Sequence, residues 1–190
     1  LQRSNSLKRI ELSYDEHLNA IKNADDDDFI MLSDNDEIPN LDSKDFKKNK
    51  KDIVLFKQLF FYFKFNLLYD KMYWFGTKGC KKKKLKSLSW LKNIKLKKYP
   101  FWRIDTLFSE TKQINLQIIQ EGGWHFTNLK TPEDMYEKFV NFGHHNEFKL
   151  SGLTVEKIRE KIKNKEMFYD HFVDQSSTNK WKSDYKLKKY

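Results

Sequence analysis

The 190-residue chain has a single cysteine, Cys80, and arginine only at Arg3, Arg9, Arg103 and Arg159. One thiol excludes an intramolecular disulfide and a cysteine-based zinc cluster, and Cys80 reads as a packing residue near a strand end. The shortage of arginine bears on the net charge of +10. Arginine is the usual side chain for bidentate phosphate and base contacts, so a charge built almost wholly from lysine argues against nucleic acid as a partner. No apolar run approaches the length of a transmembrane helix, and the first residues lack the basic-then-apolar layout of a signal peptide. These absences lead to the expectation of a cytoplasmic protein with no transmembrane segment, peripheral association with a membrane being the alternative. The length suits one domain with a real core, and no internal repeat is visible.

What is present begins with the run Phe29-Ile30-Met31-Leu32-Ser33-Asp34-Asn35-Asp36-Glu37-Ile38-Pro39. Its apolar start predicts a strand buried on both faces, as in a parallel sheet covered by helices, with ligands collecting at its carboxyl end. Side chains one residue apart in an extended segment share a side, so Asp34 and Asp36 are candidate ligands for one hard cation, Mn²⁺ or Mg²⁺, which in turn binds phosphate oxygens. The competing reading is that the two aspartates only open a turn. Pro39 stands where an EF-hand loop needs glycine, which disfavours a calcium loop of that kind. The acidic run Asp25–Asp28 and the tract Lys81–Lys84 read as solvated surface.

Ser13-Tyr14-Asp15-Glu16 has the spacing of a capping box and predicts a helix to about Ala24. A short helix and loop follow in 42–51, the strongest strand signal covers 53–65, and a further strand covers 72–75. Leu85, Leu88 and Leu91 predict a short amphipathic helix. A strand over 114–119 leads into Gly122 and Gly123, which permit a sharp bend or close backbone approach to a ligand. Thr131-Pro132-Glu133-Asp134 starts a helix that stops near Gly143, and Thr154 starts another. The division expected is 1–174 as the domain and 175–190 as a lysine-rich tail, poorly ordered or packed only by Trp181 and Tyr185.

Taken in order, residues 24–39 (ADDDDFIMLSDNDEIP), Phe61-Tyr62-Phe63, Trp74-Phe75-Gly76-Thr77-Lys78, Gly122-Gly123-Trp124-His125-Phe126 and His145-Asn146-Glu147-Phe148 resemble glycosyltransferase family 17. The resemblance runs from about residue 2 to about residue 170. It implies a GT-A-like α/β fold, a mixed sheet flanked by helices, with the N-terminal part of the family's domain lacking. It further implies inverting transfer of N-acetylglucosamine from UDP-N-acetylglucosamine to a glycan acceptor with a divalent metal.

The resemblance also suggests roles. His125 would complete the metal shell of Asp34 and Asp36, the alternative being a packed histidine beside tryptophan. Glu37 and Glu147 are candidates for the base that deprotonates the acceptor hydroxyl, and either is open to a structural role. Lys78 would neutralise diphosphate charge, Trp74 or Trp124 would stack on a sugar face, and Gly122 and Gly123 would let the backbone approach the substrate. Each aromatic alone is more often core than ligand platform. A non-catalytic remnant or sugar-binding module is the alternative function, and a basic nucleic-acid or anionic-surface binder a more distant one.

Overall fold

Ile53-Val54-Leu55-Phe56 is an unbroken apolar run, and the fold of the first half of the protein is organised around it. The computed structural model describes residues 12, 14, 16–96, 99–100, 102–106, 108–141, 145–174 and 177–190. In chain order the strands are β1 (Phe29–Leu32), β2 (Glu37–Pro39), β3 (Ile53–Phe56), β4 (Leu59–Tyr62), β5 (Leu67–Leu68), β6 (Lys78–Lys81), β7 (Leu116–Ile119), β8 (Gly123–Thr127) and β9 (Lys188–Lys189). The described residues fall into two compact units, one drawn from 1–59 and 73–125, the other from 60–72 and 126–190.

In the first unit a four-stranded mixed sheet has the order β1-β6-β3-β7. β6 is antiparallel to both β1 and β3, and β3 is parallel to β7. β3 is the strand buried on both faces. Alternation sends Ile53 and Leu55 to one side, where they pack with Cys80, Trp90, Leu91, Ile94 and Leu116, and Val54 and Phe56 to the other, with Ile119 and the partly buried Phe29, Met31 and Phe46. Cys80 is fully buried and, as expected, a packing residue; burial, with Asp52 nearby, pushes its thiol up to about 12. β1 differs from its expectation. It is an antiparallel edge strand with only Ile30 buried, because its apolar side chains lie at the margin of the sheet.

The charged runs meet each other. Asp27, on the acidic stretch, accepts from Lys83 at 2.7 Å and Lys81 at 3.0 Å, which holds its carboxyl below the usual carboxylate range. These contacts are exposed, so they fix loop geometry more than they stabilise the fold. Of the helix expected up to Ala24, Leu12, Tyr14 and Glu16 are α-helical and a 3₁₀ turn continues over His17–Ile21; Ser13 and Asp15 of the capping box lie outside the described residues. The expected strand at 72–75 is a single bridge between Gln58 and Trp74.

In the second unit, Thr131 and Thr154 cap their helices as predicted: Asp134 N–H donates to Thr131 Oγ1 at 3.1 Å and Lys157 N–H to Thr154 Oγ1 at 3.3 Å. The helices Pro132–Val140 and His145–Leu150 supply Phe139 and Phe148, whose rings meet Trp181 at 5.1 Å each. The predicted stop at Gly143 lies outside the described residues. The C-terminal stretch is more firmly built in than expected. Trp181 and Leu187 are buried, and β9 pairs with β5.

Candidate metal centre

The segment Ser33–Glu37 turns before β2 begins: Glu37 N–H donates to the Asp34 carbonyl at 3.0 Å. Asp34 and Asp36 therefore stand on a turn, where alternation no longer puts them on one side. β2 then pairs antiparallel with the start of β8 in the register Glu37↔His125, Ile38↔Trp124 and Pro39↔Gly123. Directly opposed residues share a face of the ladder. Glu37 and His125 accordingly point inward, each 5% exposed, while Ile38 and Trp124 point outward at 50% and 37%.

A carboxylate as buried as Glu37 needs donors, and it has them. Trp74 Nε1–H donates to Oε1 at 2.7 Å and the Asp34 backbone N–H to Oε2 at 3.0 Å. Thr77 Oγ1 lies 3.3 Å from Oε2 and 2.8 Å from Ser33 Oγ, so its one proton is shared between them. Ser33 Oγ also donates to the Glu37 carbonyl at 2.9 Å. Gly76 makes the room. A Cβ there would lie 1.5 Å from Glu37 Oε1 and 2.4 Å from Trp74 Nε1. Gln58 braces the arrangement, donating to Thr77 Oγ1 at 3.2 Å and exchanging two backbone hydrogen bonds with Trp74. Its own Oε1 is buried without a hydrogen-bond partner among the described residues.

Trp74 has a second task. Its ring stacks on His125 with centroids 4.5 Å apart and planes 13° from parallel, which fixes the imidazole plane. His125 Nε2 then faces Asp36 Oδ2 at 3.4 Å. One ligand atom each from Asp36, Glu37 and His125 lie within 4.8 Å of one another. A separation of 3.4 Å is long for a direct N–H···O bond.

The site thus differs in membership from the sequence expectation. Asp36 and His125 come together, and Glu37 joins them in place of Asp34. Asp34 Oδ2 is instead paired with Lys92 Nζ at 2.7 Å. Burial pulls the Lys92 ammonium down, but Asp34 and Glu37 outweigh it and leave its pKa raised. Lys78 is 5% exposed and its ammonium donates to the carbonyls of Lys92 and Ile94 at the end of the helix Leu88–Asn93, so it is committed to the fold. Burial first and the Lys92 charge second bring it down to about 8.

The glycines also serve the fold. A Cβ on Gly122 would lie 2.4 Å from Lys57 N, and one on Gly123, where φ is +107°, 2.1 Å from the Ile38 carbonyl oxygen. The close approach that needs glycine is to the protein's own backbone. Trp74 is a buttress of the cluster, and Trp124 lies on the opposite face of the ladder. Glu147 belongs to the second unit, on the helix His145–Leu150, and is not a member of the cluster. Ser33, Gln58 and Thr77 were not singled out by sequence reasoning, because polar side chains that hydrogen-bond one another carry no spacing signal. Compared with protein-family models, with curated proteins and with solved structures, the chain finds no match.

Two predictions follow from this geometry. Gly76→Ala will displace the Glu37 carboxylate from the Trp74 indole, and denaturant unfolding will register a loss of about 1–3 kcal/mol; unchanged stability would contradict the packing described. The second concerns pH. Lys78 has a folded pKa of about 8 against an ordinary 10.5, so in that window the unfolded chain binds more protons and stability rises with pH. Relative to Lys78→Met, the gain across the window should reach up to about 3 kcal/mol, read as the difference in unfolding free energy between the two proteins.

Proposed function

We propose that the protein is a metal-dependent sugar transferase of the family 17 type with a GT-A-like fold, taking N-acetylglucosamine from UDP-N-acetylglucosamine to a glycan acceptor. The observation that carries the reading is the convergence of Asp36, Glu37 and His125, two of them from the Asp-Asn-Asp-Glu segment and the third from the Gly-Gly-Trp-His segment. The donor set fits a divalent cation. Two carboxylates suit hard ions, and the imidazole shifts preference from Mg²⁺ towards Mn²⁺. The hydrogen bonds on Glu37 and the tryptophan stacked on His125 are the outer contacts that metal ligands ordinarily have.

Asp36, Glu37 and His125 Nε2 would hold the ion. Bound there, it would offset the charge of the donor diphosphate and of the departing nucleotide. Asp36, with its side chain 39% exposed, is the member of the trio that solvent and substrate reach. Glu37 is a positioning carboxylate in this reading rather than a base, since its oxygens already accept from Trp74 and from the Asp34 amide. The Lys92 ammonium beside Asp34 adds positive charge near the same turn.

A second reading, metal and sugar binding without turnover, is favoured by one observation: of the two candidate bases, Glu37 is tied to the protein and Glu147 is not a member of the cluster, which leaves acceptor deprotonation unassigned. Calorimetry with UDP-N-acetylglucosamine in Mn²⁺ and in chelator tests both readings. Metal-dependent binding that Asp36→Asn weakens by about ten-fold or more is expected. UDP release in the presence of a glycan acceptor would then support the transferase, and tight binding without release would support the second reading. Binding indifferent to Asp36→Asn would refute both.

A further inference from the structure

Among the described residues the most exposed large apolar side chain is Phe108, at 86%, and three others of the same loop are Leu96 at 51%, Trp102 at 69% and Ile104 at 70%. Such side chains are ordinarily the ones that folding removes from water. The loop is nevertheless well anchored. Lys95 N–H donates to the Thr111 carbonyl at 2.9 Å, and the buried Trp90 donates its indole N–H to the Glu110 carbonyl at 2.8 Å, so its two flanks are pinned together. Thr106 is buried, and its hydroxyl donates to the Arg103 carbonyl at 2.6 Å. The loop is thus held from beneath while its apolar side chains stay outside.

Its charges are as one-sided as its apolar residues are exposed. Among the described residues Lys86, Lys95, Arg103 and Lys112 stand against Asp105 and Glu110. Both acids are already engaged: Asp105 accepts from Arg103 at 2.6 Å and from Lys112 at 2.6 Å, and Glu110 pairs with Lys86 at 3.4 Å. The Arg103 and Lys112 cations also lie 5.7 and 5.9 Å from the centre of the Tyr99 ring. The surface therefore combines excess positive charge with tryptophan, tyrosine, phenylalanine and aliphatic side chains. That is the composition of an element that sits at a lipid headgroup boundary.

We propose that this loop is an interfacial membrane anchor, which seats Trp102, Ile104 and Phe108 among the headgroups of an anionic bilayer while the surrounding lysines and Arg103 draw the protein to its surface. Charge complementarity favours a lipid surface over a second copy of the chain, which is itself strongly basic and would repel. The inference does not depend on the metal centre.

The test is sedimentation of the full chain with vesicles of phosphatidylcholine containing about a third phosphatidylglycerol, and with phosphatidylcholine alone. Expected is binding to the anionic vesicles, weakened by about ten-fold or more in the double variant Trp102→Ser/Phe108→Ser and weakened by salt. Both positions are exposed, and circular dichroism of the variant should match that of the parent. Absence of binding, binding that ignores phosphatidylglycerol, or binding unaffected by the double substitution would overturn the proposal. So would self-association of the parent in lipid-free buffer that the same substitutions abolish, which would make the loop a contact between copies.

Discussion

The arrangement of the first unit around its candidate site depends on the burial of one negative charge, the Glu37 carboxylate. Removing a carboxylate from water costs several kcal/mol unless donors surround it. The β2–β8 ladder, the turn at Asp34, the indole of Trp74 and the absence of a side chain at Gly76 all answer that requirement. The same indole orients His125, so one tryptophan couples the two inward-facing members of the cluster. Asp36 is then the partly exposed member, on a turn whose closing hydrogen bond runs from Glu37 N–H to the Asp34 carbonyl.

This dependence explains which parts of the site could be read from sequence. The Asp-Asn-Asp-Glu segment and the late Gly-Gly-Trp-His segment were legible as candidates, and two of the three proposed metal ligands, Asp36 and His125, converge in the structure. The exchange of Glu37 for Asp34 was not legible. The alternation rule assumes an extended backbone, and a single turn hydrogen bond breaks it. Lys78 shows the complementary problem, since a lysine beside a candidate site is indistinguishable in sequence from one whose ammonium caps the end of a helix. The paired glycines carry a true signal of close backbone approach, but sequence does not say to what.

The fold was legible where patterns are local. Thr131 and Thr154 cap their helices, Cys80 is buried as a packing residue, and the helix carrying Leu88 and Leu91 forms on their spacing. The error over which strand is central has a simple cause. Phe29–Leu32 and Ile53–Phe56 are equally apolar four-residue runs, and only the pairing of β6 and β7 around β3 makes the second one central. The C-terminal stretch was underestimated because its lysine content hides the apolar anchors Trp181 and Leu187.

The central claim is that Asp36, Glu37 and His125 form one cation site. A Mn²⁺ titration followed by electron paramagnetic resonance tests it most directly, with His125→Ala and Glu37→Gln beside the parent protein. The account predicts a single Mn²⁺ site in the parent and affinity lower by about ten-fold or more in each variant. Equal affinity in all three folded proteins, or no Mn²⁺ site in the parent, would contradict it.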